Sequence, residues 1–217
     1  MDTPPSPPPP AARHLPPELF DRWYGAWDPL TPSTIGDFMS GFDRPWWIVG
    51  GWTIEVLTGV PRVHEDMDIS MLSGDAEAFR LFLGDRWTPW NVDESWFRPF
   101  DARFADVRHD SQVWVREHAT APWVLDVPFT PETDGQWTNK RWREQVAPIE
   151  DVTWVADDGL RYQRPEVTLM FKARQDREKD RADARLALPM LDAGQRRWLR
   201  DTVAQIHPEH PWVTELR

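Results

Sequence analysis

The stretch from Trp46 to Ser70 reads WWIVGGWTIEVLTGVPRVHEDMDIS. It opens on a short, wholly apolar run, WWIV, which predicts a buried strand, and the run stops at Gly50-Gly51, which predicts a tight turn. WTIEVLTG then carries a helical pattern with Gly59 as its stop. HEDMDISM reads as a second strand, and its period of two sets Glu65, Met67 and Ile69 on one face and Asp66, Asp68 and Ser70 on the other. Glu65, Asp66 and Asp68 are three acids in four positions, and they repel one another. Either solvent on an exposed loop or a bound cation must compensate them.

About sixty residues further on, WVLDVPF places one more acid, Asp126, inside an apolar strand. Alternation sets Trp123, Leu125 and Val127 against Val124, Asp126 and Pro128, and a lone carboxylate there is costly to bury without a partner. A Gly-Gly turn between a strand and a helix frees backbone N–H groups for a phosphate. An Asp-x-Asp pair supplies the hard oxygens that Mg²⁺ takes while it keeps water and binds substrate phosphates. Each feature alone is common, since most glycine pairs are only turns and many acidic pairs are solvated. Together they are specific, because three converging carboxylates can hold two divalent ions roughly 3.5–4 Å apart and stabilise both oxygens of a displacement at phosphorus.

The rest of the chain frames this unit. Residues 1–17 hold eight prolines and read as an extended, disordered arm, better suited to a solubilising tail than to a partner site. Leu19, Phe20, Trp23 and Trp27 recur at helical spacing, and Ser33 is the expected cap of a second short helix through Ile35, Phe38 and Met39. A helix is expected near Asp75 to Leu83, followed by short strands in SWFRPF, ARFADVRH, SQVWVREH and APWVLDVPF, which make a mixed or antiparallel sheet. Beyond Gly159 the pattern turns helical. Arg164-Pro165-Glu166 is a helix start, EVTLMFKARQDREKDRADARLALPML runs on to a break at Pro189, and AGQRRWLRDTVAQIH follows.

VGGW, PRVHEDMDIS and WVLDVPF resemble the catalytic core of the nucleotidyltransferase superfamily that shares the DNA polymerase beta palm. The closer likeness is to the aminoglycoside-2''-adenylyltransferase-like group, whose pattern also resembles RPEVTLMFKARQDREKDRADARLALPML and HPEHPW, so that it spans roughly Trp46 to Trp212. The resemblance implies an α+β fold: a mixed or antiparallel-sheet nucleotidyltransferase domain, residues 18–158, followed by a small C-terminal helical domain, residues 159–217. It implies that Gly50 and Gly51 cradle a nucleotide triphosphate, that Asp66 and Asp68 are paired metal ligands, and that Asp126 is the third carboxylate, which contacts metal and takes the acceptor proton. Mg²⁺ and ATP are the implied cofactor and co-substrate. The reaction implied is transfer of AMP to a hydroxyl of a small molecule such as an aminoglycoside. The wider superfamily often has serine after the first glycine, and Gly51 departs from that pattern.

On the expected helix Lys172, Asp176, Lys179 and Asp183 fall on a single charged stripe, which is either a solvated face or, through Lys172, a contact to the triphosphate. Arg62 either meets phosphate or pairs with Glu65 or Asp66. His64 reads as structural, since imidazole is not a preferred partner of a hard metal. His207 and His210 lack the further ligands of a zinc site.

The balance of 25 Lys and Arg against 36 Asp and Glu gives a net charge of −11, which disfavours nucleic acid and suits a cationic acceptor. Fifteen tryptophans suit concave walls as well as cores. The absence of cysteine, of a signal-peptide pattern and of a membrane-length apolar run gives the expectation of a soluble, cytoplasmic protein. Two other readings stay open at this point: a toxin-type nucleotidyltransferase acting on RNA or protein and held by an antitoxin, and a nucleotide-binding module without turnover.

Overall fold

The computed structural model describes residues 16–93, 96–103 and 112–216. The expected proline-rich arm, up to residue 15, and most of the ARFADVRH strand lie outside them. Among the described residues no helix is long and apolar enough to cross a membrane.

The chain begins with α1 (Pro17–Tyr24) and α2 (Pro32–Phe38). Thr31, not Ser33, stands before α2, with Pro32 at the first helical position. Its backbone N–H donates to Thr34 Oγ1 at 2.9 Å, which leaves Ser33 inside the first turn. Then come β1 (Trp46–Ile48), α3 (Gly51–Thr58), β2 (Ile69–Met71) and α4 (Ala76–Leu83). Strand β1 is apolar throughout because both its faces are covered. Ile48 packs into one core with Met67, Ile69, Leu125 and Val127, while Trp47 packs into a second with Ile54, Trp137, Leu169 and Leu199.

Strands β3 (Thr88–Asp93), β4 (Trp96–Pro99), β5 (Gln112–Arg116) and β6 (Trp123–Pro128) form an antiparallel sheet in the order β4-β3-β5-β6. A small sheet follows, of β7 (Glu132–Thr133), β8 (Gln136–Thr138) and β9 (Val146–Ala147). After α5 (Ile149–Val152), β10 (Thr153–Val155) and β11 (Arg161–Gln163) join β1 and β2 in the order β10-β11-β1-β2. In that sheet β1 runs parallel to β11 and antiparallel to β2. The mixed and antiparallel sheets of the expected α+β fold are therefore present.

The two larger sheets meet along one seam. Asp126 N–H donates to Met67 O at 2.9 Å and Thr130 N–H to Met71 O at 2.9 Å, with parallel bridges at Asp68 and Asp126 and at Leu72 and Thr130. This seam explains why the second strand is shorter than its alternation predicts. Asp68 spends its carbonyl on Val49 N–H at 3.0 Å, while Met67 gives its own to Asp126, so residues 67 and 68 are shared between two sheets. The expected division of faces survives in the packing, since Met67 and Ile69 are fully buried in the first core.

The chain closes with α6 (Pro165–Ala173), α7 (Glu178–Ala187), α8 (Ala193–Ile206) and α9 (Trp212–Glu215). Pro165 occupies the first position of α6, as its sequence predicts. The long helix expected through residue 188 is broken earlier, at 174–177, where Asp176 is left-handed at φ 45°. Asp180 restarts it by accepting from Arg177 N–H at 3.2 Å. The single charged stripe therefore does not exist: Asp176 pairs outward with Arg181 at 2.7 Å, while Lys172 turns inward.

Candidate active site

Gly50 and Gly51 start α3, and Gly50 takes φ 74°, a conformation that side chains other than glycine's rarely adopt. A Cβ built at Gly50 stands 2.7 Å from Asp68 Oδ2, so the turn and that carboxylate are in direct contact. A Cβ at Gly51 overlaps the Arg62 guanidinium. We expect Gly50→Ala to lower stability by about 1–2 kcal/mol through backbone strain and to push Asp68 aside. Urea unfolding measures the loss, and an unchanged stability contradicts the strain.

The loop that carries Asp66 is braced from α3. Trp52 stacks on His64 with ring centroids 3.6 Å apart, and its Nε1 donates to Asp66 O at 3.3 Å. Glu55 accepts from Arg62 N–H at 3.0 Å and lies 2.8 Å from His64 Nε2. Burial holds the His64 pKa below its ordinary value against the opposing pull of Glu55, in keeping with a structural imidazole. Arg62 pairs with neither Glu65 nor Asp66, the partners its sequence position suggests. Its Nε lies 3.4 Å from Asp183 Oδ1 of α7, and Glu65 instead meets Lys179 at 2.8 Å.

A cavity of about 320 Å³ opens where these parts converge. Gly50, Gly51, Asp66, Asp68, Asp126 and Lys172 all line it, so the six residues to which the sequence assigns glycine-turn, metal or triphosphate roles border one hollow. Two of its acids are shifted upward. Burial, then Asp66, pushes the Asp68 carboxyl up to about 8, against the pull of Lys172 and other lysines. Burial, then Asp68 and Asp66, raises Asp126 well above the usual carboxylate range. Asp126 Oδ1 is buried and has no hydrogen-bond partner. Oxygens so arranged fit divalent cations. Among the described residues no three acids or histidines converge closely enough to hold an ion by themselves. The three carboxylates expected to converge therefore line one cavity without forming a ready-made ion site, and the fit rests on the buried, unbonded Asp126 Oδ1.

A pH prediction follows from Asp68. Its folded pKa lies above its unfolded value, so its favourable contribution is complete below about pH 4 and is lost as pH rises through about 8. In metal-free protein Asp68→Asn should therefore match the native chain in melting temperature near pH 4 and exceed it at pH 8. A gap that does not change with pH contradicts the assignment.

Sequence reasoning missed the other wall. Lys140, Arg177 and Lys179 also line the cavity, so it is locally rich in cations despite the net charge of −11. It also missed Asp180 and placed Asp183 only on a charged stripe; the two are 3% and 1% exposed and hold Lys172 Nζ at 3.0 and 2.8 Å. A signal was present: Asp180, Asp183, Ala184 and Ala187 share helical spacing, and all four are buried.

Beyond the acids the face turns aromatic. Asp68, Asp126, Trp114 and Trp90 are successive cross-strand neighbours, forming one row across the sheet. Trp114 is half-buried, its ring packed edge-on against Trp27 of the segment after α1, with centroids 5.0 Å apart. Arg116, on the same strand, lies over Trp123 at 4.1 Å.

Residues 33–141 match the family model described as aminoglycoside-2''-adenylyltransferase. No curated protein sequence matches the chain. Among solved structures, the antibiotic-resistance factor ANT(2'')-Ia in complex with adenylyl-2''-tobramycin is 18% identical. That match covers 82% of this chain and 93% of the other at a TM-score of 0.47. The lincosamide antibiotic adenylyltransferase LnuA, lincomycin-bound, is 20% identical, over 70% of this chain and 91% of the other, at a TM-score of 0.46. These are distant likenesses, and the relationship rests on the sequence match.

Proposed function

The chain belongs to the aminoglycoside-2''-adenylyltransferase family, and on that footing we propose that it moves AMP from ATP to a hydroxyl of a small molecule, with release of pyrophosphate. The observation that carries this reading is the convergence of Gly50, Gly51, Asp66, Asp68, Asp126 and Lys172 on one cavity.

Gly50 and Gly51 present the backbone N–H groups at the start of α3 to the triphosphate. Arg62 and Lys172 face it from two sides of the cavity and neutralise its charge. Asp66, Asp68 and Asp126 would hold Mg²⁺, whose chemistry when bound is to draw charge from the phosphate oxygens and orient them. The acceptor oxygen attacks the α-phosphorus, the bond from that phosphorus to the bridging oxygen of the β-phosphate breaks, and pyrophosphate leaves with that bond's electrons. Asp126 takes the acceptor proton, its proton affinity set by burial, which raises it, against the charge of a bound cation, which would lower it.

The family's name offers aminoglycosides as the first acceptors to test. The row that continues from Asp126 to Trp114 and Trp90 supports a ring that stacks on indole, as a sugar or cyclitol does. Trp114→Ala should then raise the acceptor KM about tenfold, roughly the 1.4 kcal/mol of one stacked ring. The nucleotide KM should stay within about twofold. Equal rises in both would place Trp114 in the general packing alone.

The test of the function is incubation with α-labelled ATP, Mg²⁺ and a panel of aminoglycosides, lincosamides and tRNA. Label is expected in a small acceptor, with one pyrophosphate per transfer. Label only in tRNA or in protein would replace this reading with the toxin-type one.

A further inference from the structure

We infer that Asp183 is a positioning residue for the triphosphate: one buried carboxylate holds two cations, from opposite ends of the sequence, against the glycine turn. This deepens the proposed function and rests on its assignment of ATP to the cavity.

Asp183 is 1% exposed, and it lies 2.8 Å from Lys172 Nζ and 3.4 Å from Arg62 Nε. Lys172 comes from α6, and Arg62 from the loop before the Asp66 and Asp68 pair; both line the cavity with Gly50 and Gly51. Neither contact is a well-formed hydrogen bond, since Asp183 Oδ2 and Arg62 Nε both lack one. Charge more than directional bonding holds the two cations, and Arg62 Nε itself is buried, so that a ligand would meet the outer end of the guanidinium. Arg62 spends Nη1 on Val63 O at 2.9 Å, and Lys172 spends one N–H on Asp180 at 3.0 Å.

The guanidinium occupies an electrostatically unfavourable place. It lies against Gly51, at the start of α3, where the helix dipole repels a cation and favours an anion. Asp183 offsets this only in part, because it is shared. Counting the connected group gives three cations, Arg62, Lys172 and Arg177, against two carboxylates, Asp180 and Asp183, an excess of one positive charge. A triphosphate laid on the Gly50-Gly51 turn meets that excess and supplies the anion the helix start lacks. A nucleoside monophosphate, which ends at the α-phosphate, leaves most of it unmet. The same carboxylate also ties α7 to the loop at residue 62, so its position sets how the cavity's two walls face each other.

The experiment is calorimetric titration of the full chain with ATP and with AMP, both with Mg²⁺. The native chain should prefer ATP. Asp183→Asn should weaken ATP at least tenfold and leave AMP within about twofold, since only the β- and γ-phosphates lose their oriented partners. Asp183→Glu keeps the charge, and so protects the fold, but displaces the carboxylate by one methylene; a smaller loss, about threefold, again confined to ATP, is expected. An equal loss for both nucleotides, or no loss, in a folded variant makes Asp183 merely structural. A native chain that binds ATP no better than AMP overturns the triphosphate contact, and one that binds neither removes the nucleotide reading itself.

Discussion

Asp126→Asn is expected to lower nucleotidyl transfer by about a thousandfold or more, equivalent to about 4 kcal/mol of transition-state stabilisation. The effect should be large because one side chain does two things. On the proposed function its buried carboxylate would complete the acidic set with Asp66 and Asp68, and its oxygen would take the proton of the attacking hydroxyl. The amide keeps the shape of the strand, accepts no proton at neutral pH, and brings no charge. The fold should suffer little, since Asp126 Oδ1 has no partner to lose and the repulsion from Asp68 is relieved, while the amide can keep the contact with Trp114. Asp126→Asn should therefore melt no lower than the native chain in the absence of metal while its kcat collapses. A variant that keeps more than a tenth of native kcat would remove Asp126 from the chemistry.

Lys172→Met should have the largest effect on stability. Lys172 is 9% exposed and is the cation shared by Asp180 and Asp183, both nearly inaccessible. Removing one member of a buried ion pair leaves the other uncompensated and destabilises by about 3–5 kcal/mol. The lower end of that range is expected here, because Arg177 still meets Asp180 at 2.7 Å and Arg62 still lies near Asp183. Urea unfolding at pH 7 measures the loss. Lowering the pH should narrow the gap, because Asp180, held below its ordinary range against burial by Arg177 and Lys172, loses that support as it takes up a proton. A loss under about 1 kcal/mol would mean that the two arginines suffice alone.

Much of this site was legible in the sequence, because the residues that build it break a pattern. A glycine pair after WWIV can only be a turn where the strand is buried, and the structure puts Gly50 at φ 74° against Asp68. An acid inside WVLDVPF departs from strand alternation, and Asp126 proves 6% exposed. Gly59 ends α3 in the left-handed conformation, as its position after an apolar helix predicts. What was not legible depended on partners distant in sequence. The pairing of Met67 and Asp68 with two different strands shortens β2, and nothing within residues 64–71 announces Val49 or Asp126 as their partners. The break at Asp176 similarly escapes a helical pattern that runs on through charged residues, because the two helices are set by Lys172 turning toward Asp180 and Asp183. The net charge describes the whole surface and does not announce that the cavity has its own cationic wall.

The measurement that bears most directly on the central claim is Mn²⁺ binding followed by electron paramagnetic resonance, with Mn²⁺ standing for Mg²⁺ and a non-hydrolysable ATP analogue present. The native chain should bind the ion tightly only with the nucleotide, and Asp66→Asn and Asp126→Asn should each weaken that binding at least tenfold while remaining folded. Mn²⁺ uptake that neither substitution changes, or that does not depend on the nucleotide, would contradict the claim that these aspartates form a metal and nucleotide site.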